Sequence, residues 1–317
     1  LTSADKAVTS LPLHYSYGLS VLHSHLAVGA SIVLVDGSVA DPQFKARTNA
    51  EGVTSLALVP HQIDLLHGRK IGIREFGAIR YVTQAGGRLG SARVKELALQ
   101  ARREGWEFFV MYGQTEAGPR IAYVPPAALA ANADTIGRAI PGGRIWIADA
   151  QGAEILLPGI SGELVYEGPN VMFGYADQRE DLARGREMTS LHTGDIAERT
   201  EAGFFRIVGR AKRFVKLYGL RISLDQIEAR LTEAGVTTFA VGVDDRLVVL
   251  TLSADRSPEI ADIVAKSFGL PRDDVVVQVI DEVPLLSNGK TDQRVLEATA
   301  RRMLAQQAPR AASSIAQ

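Results

Sequence analysis

Apolar residues in the first 135 positions gather in short runs rather than alternating singly. Residues 31–35, 55–59, 78–82 and 108–111 are of this kind, and such runs suit strands covered on both faces. Residues 91–104 instead set Val94, Leu97, Leu99 and Ala101 among charges, which predicts a helix with one apolar side. Alternating strands and helices predict an α/β layer with a mostly parallel sheet over 1–135.

The texture changes from Ile136. Strand-like stretches at 144–148, 163–166 and 204–208 are separated by Pro141-Gly142-Gly143, Gln151-Gly152, Pro158-Gly159 and Glu201-Ala202-Gly203. Short strands cut by glycine and proline turns predict a β subdomain over 136–211. Residues 212–317 form a separate pattern: strand-like 214–222, helix 224–233, strands 239–243 and 247–252, helix 257–268, strand 275–280 and helix 291–304. That is a smaller α+β C-terminal domain, large enough for its own core. Its last ten residues are rich in alanine and serine, a composition expected to fray.

Composition narrows the function. The net charge is −1 over 317 residues, so no general field draws the chain to nucleic acid or to an anionic membrane. With no cysteine there is no disulfide, thiolate metal site or thiol nucleophile. No apolar run approaches the roughly 18 residues of a membrane helix, and no signal peptide is visible; a cytoplasmic enzyme is expected. One stretch departs from neutrality. Arg206, Arg210, Lys212, Arg213, Lys216 and Arg221 follow one another with no acidic residue between, a pattern suited to phosphate or to a solvated strand face. His14, His23 and His25 cluster without matching a metal spacing, so structural or surface roles are expected for them.

Four motifs carry the chemistry: Tyr112-Gly113-Gln114-Thr115-Glu116, His192-Thr193-Gly194-Asp195, Gly209-Arg210-Ala211-Lys212 and Asn288-Gly289-Lys290. The first follows a buried strand, where open α/β sheets place ligands. Its tyrosine offers a face to a base, its threonine a hydroxyl to phosphate and its glutamate a carboxylate to Mg²⁺. Gln84-Ala85-Gly86-Gly87-Arg88-Leu89-Gly90 reads as a strand-to-helix turn whose glycines admit a close ligand. With Glu107 as a ribose acceptor it superficially resembles a dinucleotide fingerprint, although the glycine spacing differs. Asp195, after Gly194 and before a β-hairpin, can accept from both hydroxyls of a ribose. Lys212 follows a strand end, and Lys290 follows a tight Asn-Gly turn near the end of the chain.

Together these motifs resemble the adenylate-forming superfamily of acyl- and aryl-CoA synthetases, peptide-synthetase adenylation domains and luciferases. The resemblance extends to Leu11–Gly18, similar to the family's substrate-pocket motif, to 162–175, similar to its β-subdomain signature, and to 209–228, similar to its hinge and crossover segment. It implies an acid–thiol ligase that uses ATP, forms AMP and passes a carboxylic acid to CoA or to the phosphopantetheine of a carrier protein. Gly86, Gly87 and Tyr112 would line the adenine, with Thr115 at the α-phosphate and Glu116 on Mg²⁺. Asp195 would hold the ribose, aided by Arg210. Lys212 would be the hinge of a mobile C-terminal domain, separating 1–211 from 212–317. Lys290 would serve adenylation; Lys216 and Gly219 would border the thiol channel after rotation. Tyr15, Tyr17, Gly18 and Gln114 would line the acid pocket. Tyr15 stands where many relatives have His or Asp, which favours an acid without an α-ammonium group.

The family's glycine-rich phosphate loop is expected before Leu1, together with about the first third of a typical member. An exposed apolar surface is therefore expected where that part would pack. Alternatives are a half-enzyme using preformed acyl-adenylate, alone or with a complementing N-terminal chain, a non-catalytic adenylate- or CoA-binding module, and a nicotinamide-dependent oxidoreductase.

Overall fold

The computed structural model describes residues 1–211, 213–217, 220–243, 246–286 and 291–307. They divide into two compact units, one over Leu1–Ile207 and one beginning at Val208.

The first unit opens with β1 (Lys6–Val8), α1 (Ser16–Leu26) and β2 (Ser31–Val33), the two strands pairing in parallel. Then follow α2 (Pro42–Ala50), β3 (Ser55–Leu58), α3 (Pro60–Gly68), β4 (Tyr81–Gln84), α4 (Ser91–Glu104), β5 (Glu107–Tyr112), β6 (Ala122–Val124), α5 (Pro126–Leu129) and β7 (Arg138–Ala139). The five-stranded sheet has the order β3-β4-β5-β6-β7. Its first three strands are parallel, but β6 and β7 are antiparallel. The sheet is thus mixed, because the chain turns straight back after Tyr112 instead of crossing over through a helix.

The period of two in the strands explains the layers. Leu56, Leu58, Val82 and Phe108 join Phe44, Phe76 and Val94 of the α2–α4 side in one buried cluster. The intervening Ala57, Val59 and Ala85 join Tyr17 and Val21 of α1 in another. Helices therefore cover both faces. The run at 31–35 does not fit this scheme: it stops at Val33, and Leu34 is 71% exposed. Leu26, which as a neighbour of His25 reads as core, is also exposed, as are Leu13 and Leu19.

The histidines behave as structural and surface groups. His14 and His23 are exposed, while His25 is buried. Its Nδ1 donates to the Val21 carbonyl at 2.8 Å, leaving Nε2 to accept from Ser55 Oγ and Tyr81 Oη, each at 3.3 Å. No group of three or more His, Cys, Asp or Glu among the described residues could hold a metal ion. Burial pushes the His25 pKa below its ordinary 6.5. A folded-state pKa below the unfolded one means that the unfolded chain takes the proton more readily. Stability should therefore be complete above pH 6.5 and fall below it. Urea midpoints from pH 7.5 to 5 should decline, and the decline should be shallower in His25→Gln; an equal slope in both proteins would clear His25 of that role.

Beyond β7, β8 (Arg144–Ala148), β9 (Ser161–Glu167), β10 (Ser190–Arg199) and β11 (Phe205–Arg210) form a second sheet in the order β11-β10-β9-β8. Ile145, Ile147, Leu164, Tyr166, Leu191 and Ala197 make its core. His192–Asp195 lies inside β10, not merely ahead of a hairpin, at a point where the register against β9 shifts.

In the second unit the stretch expected as one strand holds two, β12 (Phe214–Leu217) pairing antiparallel with β13 (Leu220–Ser223). It continues through α6 (Leu224–Glu233), β14 (Thr238–Val243), β15 (Arg246–Thr251), α7 (Ser257–Phe268), β16 (Val275–Val279) and α8 (Gln293–Gln307). β14-β15-β16 form a sheet, antiparallel then parallel. Ile227 and Leu231 of α6 pack with Ile260 and Val264 of α7 on one face, and Leu296, Ala300 and Leu304 of α8 on the other. No helix among the described residues is long and apolar enough to cross a membrane.

Candidate active site

Gln84 and Val110 are register partners on parallel strands, so β4 and β5 end side by side, and both continue into candidate motifs. After β4 the turn Gln84–Gly87 leads towards α4, held by a hydrogen bond from Gln84 Nε2 to the Gly87 carbonyl at 2.9 Å. Gly86 has φ +83°, and a Cβ there would lie 2.4 Å from Tyr15 Oη and 3.2 Å from Val59 Cγ1. The glycine is therefore needed both for its backbone and for the phenol ring resting over it. Glu107 stands at the opposite end of β5, paired with Tyr81. It cannot serve a ligand at the Gly86 turn, which removes the dinucleotide-fingerprint reading.

Gly18 belongs to the same corner: a Cβ there would meet the Pro12 carbonyl oxygen at 2.3 Å, so glycine lets α1 start against the preceding loop. Tyr17, expected on the acid-pocket wall, is fully buried, and its hydroxyl bonds Thr83 Oγ1 at 2.7 Å. It is a core residue here. Tyr15 remains at the edge of the turn, its ring meeting Tyr17 edge to face at 6.3 Å.

Tyr112 closes β5 and the motif turns sharply. A Cβ on Gly113 would sit 2.3 Å from the Pro119 carbonyl carbon, because the returning chain crosses directly over it. Tyr112 Oη donates to Asp195 Oδ2. Gln114 Nε2 donates to the Thr193 carbonyl at 2.8 Å and reaches Asp195 Oδ2 at 3.3 Å. Two side chains of one motif thus hold the carboxylate of another, 83 and 81 positions away. Gln114, expected in the acid pocket, is engaged with the Asp195 segment through its Nε2.

The bulge in β10 has its own supports. Thr193 Oγ1 donates to the Leu164 carbonyl at 2.7 Å and accepts from the Asp195 amide at 3.1 Å. Gly194 takes φ +70°, and its amide donates to Glu163 Oε1 at 3.2 Å, while His192 Nδ1 meets Glu163 Oε2 at 3.0 Å. Asp195 is left 3% exposed, a carboxylate fixed by its neighbours rather than free to swing.

Thr115 is exposed on the short 3₁₀ turn Thr115–Ala117, with Ser16 Oγ 3.3 Å away at the start of α1. Glu116 Oε1 accepts from Tyr175 Oη at 2.9 Å, and the Glu116 carbonyl accepts from the Met172 amide at 2.7 Å. The adjacent carboxylate raises the Tyr175 phenol pKa above its ordinary value. Asn170 ties the same loop down, donating to the Ala117 carbonyl and accepting from Tyr166 Oη at 2.6 Å. Glu163 and Asn170 were not singled out as supports from sequence; the Gly-Pro-Asn turn at 168–170 was the only local signal for the latter. Among the described residues Glu116 belongs to no group of three or more His, Cys, Asp or Glu that could hold a metal by itself. That suits Mg²⁺, which binds through one or two carboxylates and is otherwise held by waters and substrate phosphates.

The first unit therefore gathers Tyr15, Gly86, Gly87, Tyr112, Gln114, Thr115, Glu116 and Asp195 at the C-terminal edge of its sheet. Arg210 is exposed on β11, and Lys216 lies on β12. Lys212, Gly219 and Lys290 lie outside the described residues. The basic stretch is less uncompensated than its sequence suggests. Arg206 pairs with Asp134 and Glu198, both at 2.7 Å, and Arg213 pairs with Asp225 and Glu228.

Residues 1–176 match the family model described as AMP-binding enzyme. The chain belongs to the AMP-binding enzyme family. It is similar to indoleacetate–CoA ligase of Aromatoleum aromaticum (strain DSM 19018 / LMG 30748 / EbN1), 31% identical over 74% of this chain and 45% of that protein. It is likewise similar to medium-chain fatty-acid–CoA ligase of Escherichia coli (strain K12), 28% identical over 72% and 40%. The chain spans less than half the length of these two curated relatives. Among solved structures, a benzoate CoA ligase from Burkholderia xenovorans LB400 superposes with TM-score 0.74 at 23% identity, covering 94% of this chain and 62% of that one. The o-succinylbenzoate CoA synthetase of Bacillus subtilis in complex with its acyl-adenylate superposes at 0.74 with 22% identity, covering 93% and 61%. At these identities the likeness is one of fold.

Proposed function

We propose that this chain handles the adenylate in an acid–thiol ligase of the acyl-CoA synthetase type. The carrying observation is the Tyr112–Asp195–Gln114 hydrogen-bond set, which fixes a carboxylate at the end of β5, the neighbour of the strand β4 that leads into the Gly86–Gly87 turn. A ribose offers two hydroxyl donors to such a carboxylate, and an adenine fits between a tyrosine face and a glycine backbone. Thr115 would meet the α-phosphate, and Glu116 would hold Mg²⁺, which supplies charge neutralisation at the phosphates when bound. Arg210 would assist at the ribose.

In the first step a carboxylate oxygen attacks the α-phosphorus of ATP; the bond to the β-phosphate oxygen breaks and pyrophosphate leaves. In the second a thiolate sulfur of CoA or a carrier pantetheine attacks the acyl carbon; the acyl–phosphate C–O bond breaks and AMP leaves. Lys290 serves the first step as a positive charge beside the forming bond. Lys212 is the hinge between the domains at 1–211 and 212–317, and Lys216 with Gly219 borders the thiol path. Tyr15, resting over Gly86, bounds the acid pocket and, carrying no charge, suits a plain carboxylic acid.

Titration with AMP and NAD tests the reading: AMP should bind saturably, and NAD should not compete with it. NAD binding as tight as AMP would refute it. In a protein that performs both steps, Lys290→Ala should lower adenylation by about 10²–10³-fold and leave transfer from supplied acyl-adenylate within about twofold. Equal losses in both half-reactions would remove Lys290 from the first.

A further inference from the structure

Arg213 immediately follows the proposed hinge, and its guanidinium is bound more fully than an ordinary surface cation. Nη1 donates to Asp225 Oδ1, and Nη2 donates to Glu228 Oε1 at 2.6 Å and to the Ala240 carbonyl at 3.2 Å. Nη1 also reaches Glu228 Oε2 at 3.3 Å, and Glu228 Oε1 accepts from the Ala240 amide at 2.8 Å. Asp225 and Glu228 are three apart on α6, so both carboxylates face one way. Main-chain bonds run through the same residue: the Leu224 amide donates to the Arg213 carbonyl at 3.2 Å, and the Arg213 amide to Arg210 at 3.1 Å. One side chain therefore joins residue 213 to the first turn of α6 and to the middle of β14. Only a planar guanidinium can serve these acceptors together. The three charged side chains are about four-fifths buried, at 19%, 21% and 23% exposure. An isolated exposed ion pair would have neither this burial nor the backbone partners.

We propose that Arg213 is a positioning residue: it makes the C-terminal unit rigid from residue 213 onward and keeps the hinge motion from spreading into β12. The proposal rests on the hinge reading of Lys212. A hinge works only if both flanks are stiff, because a soft flank turns one defined rotation into a spread of orientations.

The absence of cysteine makes a distance measurement direct. The full chain is labelled with nitroxides at Arg102→Cys and Lys266→Cys, both exposed positions on α4 and α7, and distances are read by pulsed electron paramagnetic resonance. The wild-type background should give narrow populations whose weights shift on adding AMP with CoA. Arg213→Gln should replace them with one broad distribution. Exchange of the Leu224 and Ala240 amides should quicken by about tenfold or more, since their acceptors, the Arg213 carbonyl and the Glu228 carboxylate, lose the guanidinium that anchors them. Arg213→Lys, which keeps the charge but not the fork, should fall between and control for folding. Unchanged widths in Arg213→Gln would overturn the proposal, even with faster exchange, because Arg213 would then be a local ion pair only. A wild type whose distances ignore AMP and CoA would instead overturn the hinge reading itself, whatever Arg213→Gln does.

Discussion

Replacing Asp195 with alanine should weaken AMP binding by about a hundredfold, the loss expected when two hydrogen bonds to a charged acceptor disappear. The effect should exceed that of any single change in the turn at Gly86, because Asp195 is where two motifs meet. Tyr112 and Gln114 both donate to its Oδ2, so the carboxylate is oriented before any ligand arrives and little ordering cost remains at binding. Asp195→Asn separates charge from shape. It keeps the volume and should lose much of the affinity, whereas Tyr112→Phe removes one donor and should cost less, about tenfold. Calorimetric titration of the three variants checks the order. An Asp195→Ala protein that binds AMP like the wild type would mean that the nucleotide, if it binds, sits elsewhere.

The second large effect is expected at Gly113. Its Cβ would lie 2.3 Å from the Pro119 carbonyl carbon and 2.5 Å from its oxygen, both backbone atoms that cannot turn aside like the end of a side chain. Gly113→Ala should destabilise the first unit by about 3 kcal/mol and displace Tyr112 and Gln114 from Asp195. Urea unfolding should show the lower midpoint, and AMP affinity should fall with it. Gly90→Ala is the control, since nothing lies within 4 Å of a Cβ at that position. An unmoved midpoint in Gly113→Ala would show that the loop has room to relax.

That contrast explains what could be read from the sequence. The layers were legible because their signals are local: short apolar runs at 55–59 and 78–82, and one-sided periodicity in α4. The return of the chain through β6 and β7 was not, because Ala122–Val124 and Arg138–Ala139 are too short to carry a period. Glycines in the motifs also make room for other parts of the chain, as Gly18 does for the Pro12 carbonyl and Gly113 for Pro119. Tyr17 illustrates the same point: a polar atom in a motif can be engaged within the fold, as its bond to Thr83 shows. The cations at 206 and 213 looked unopposed because Asp134, Asp225 and Glu228 lie outside the basic stretch.

A crystal structure with AMP bound tests the central claim most directly. The adenine should lie against Gly86, Gly87 and Tyr112, the ribose hydroxyls within hydrogen-bond distance of Asp195, and the phosphate towards Thr115. AMP lodged away from Asp195, with the Tyr112–Asp195–Gln114 set left untouched, would contradict it.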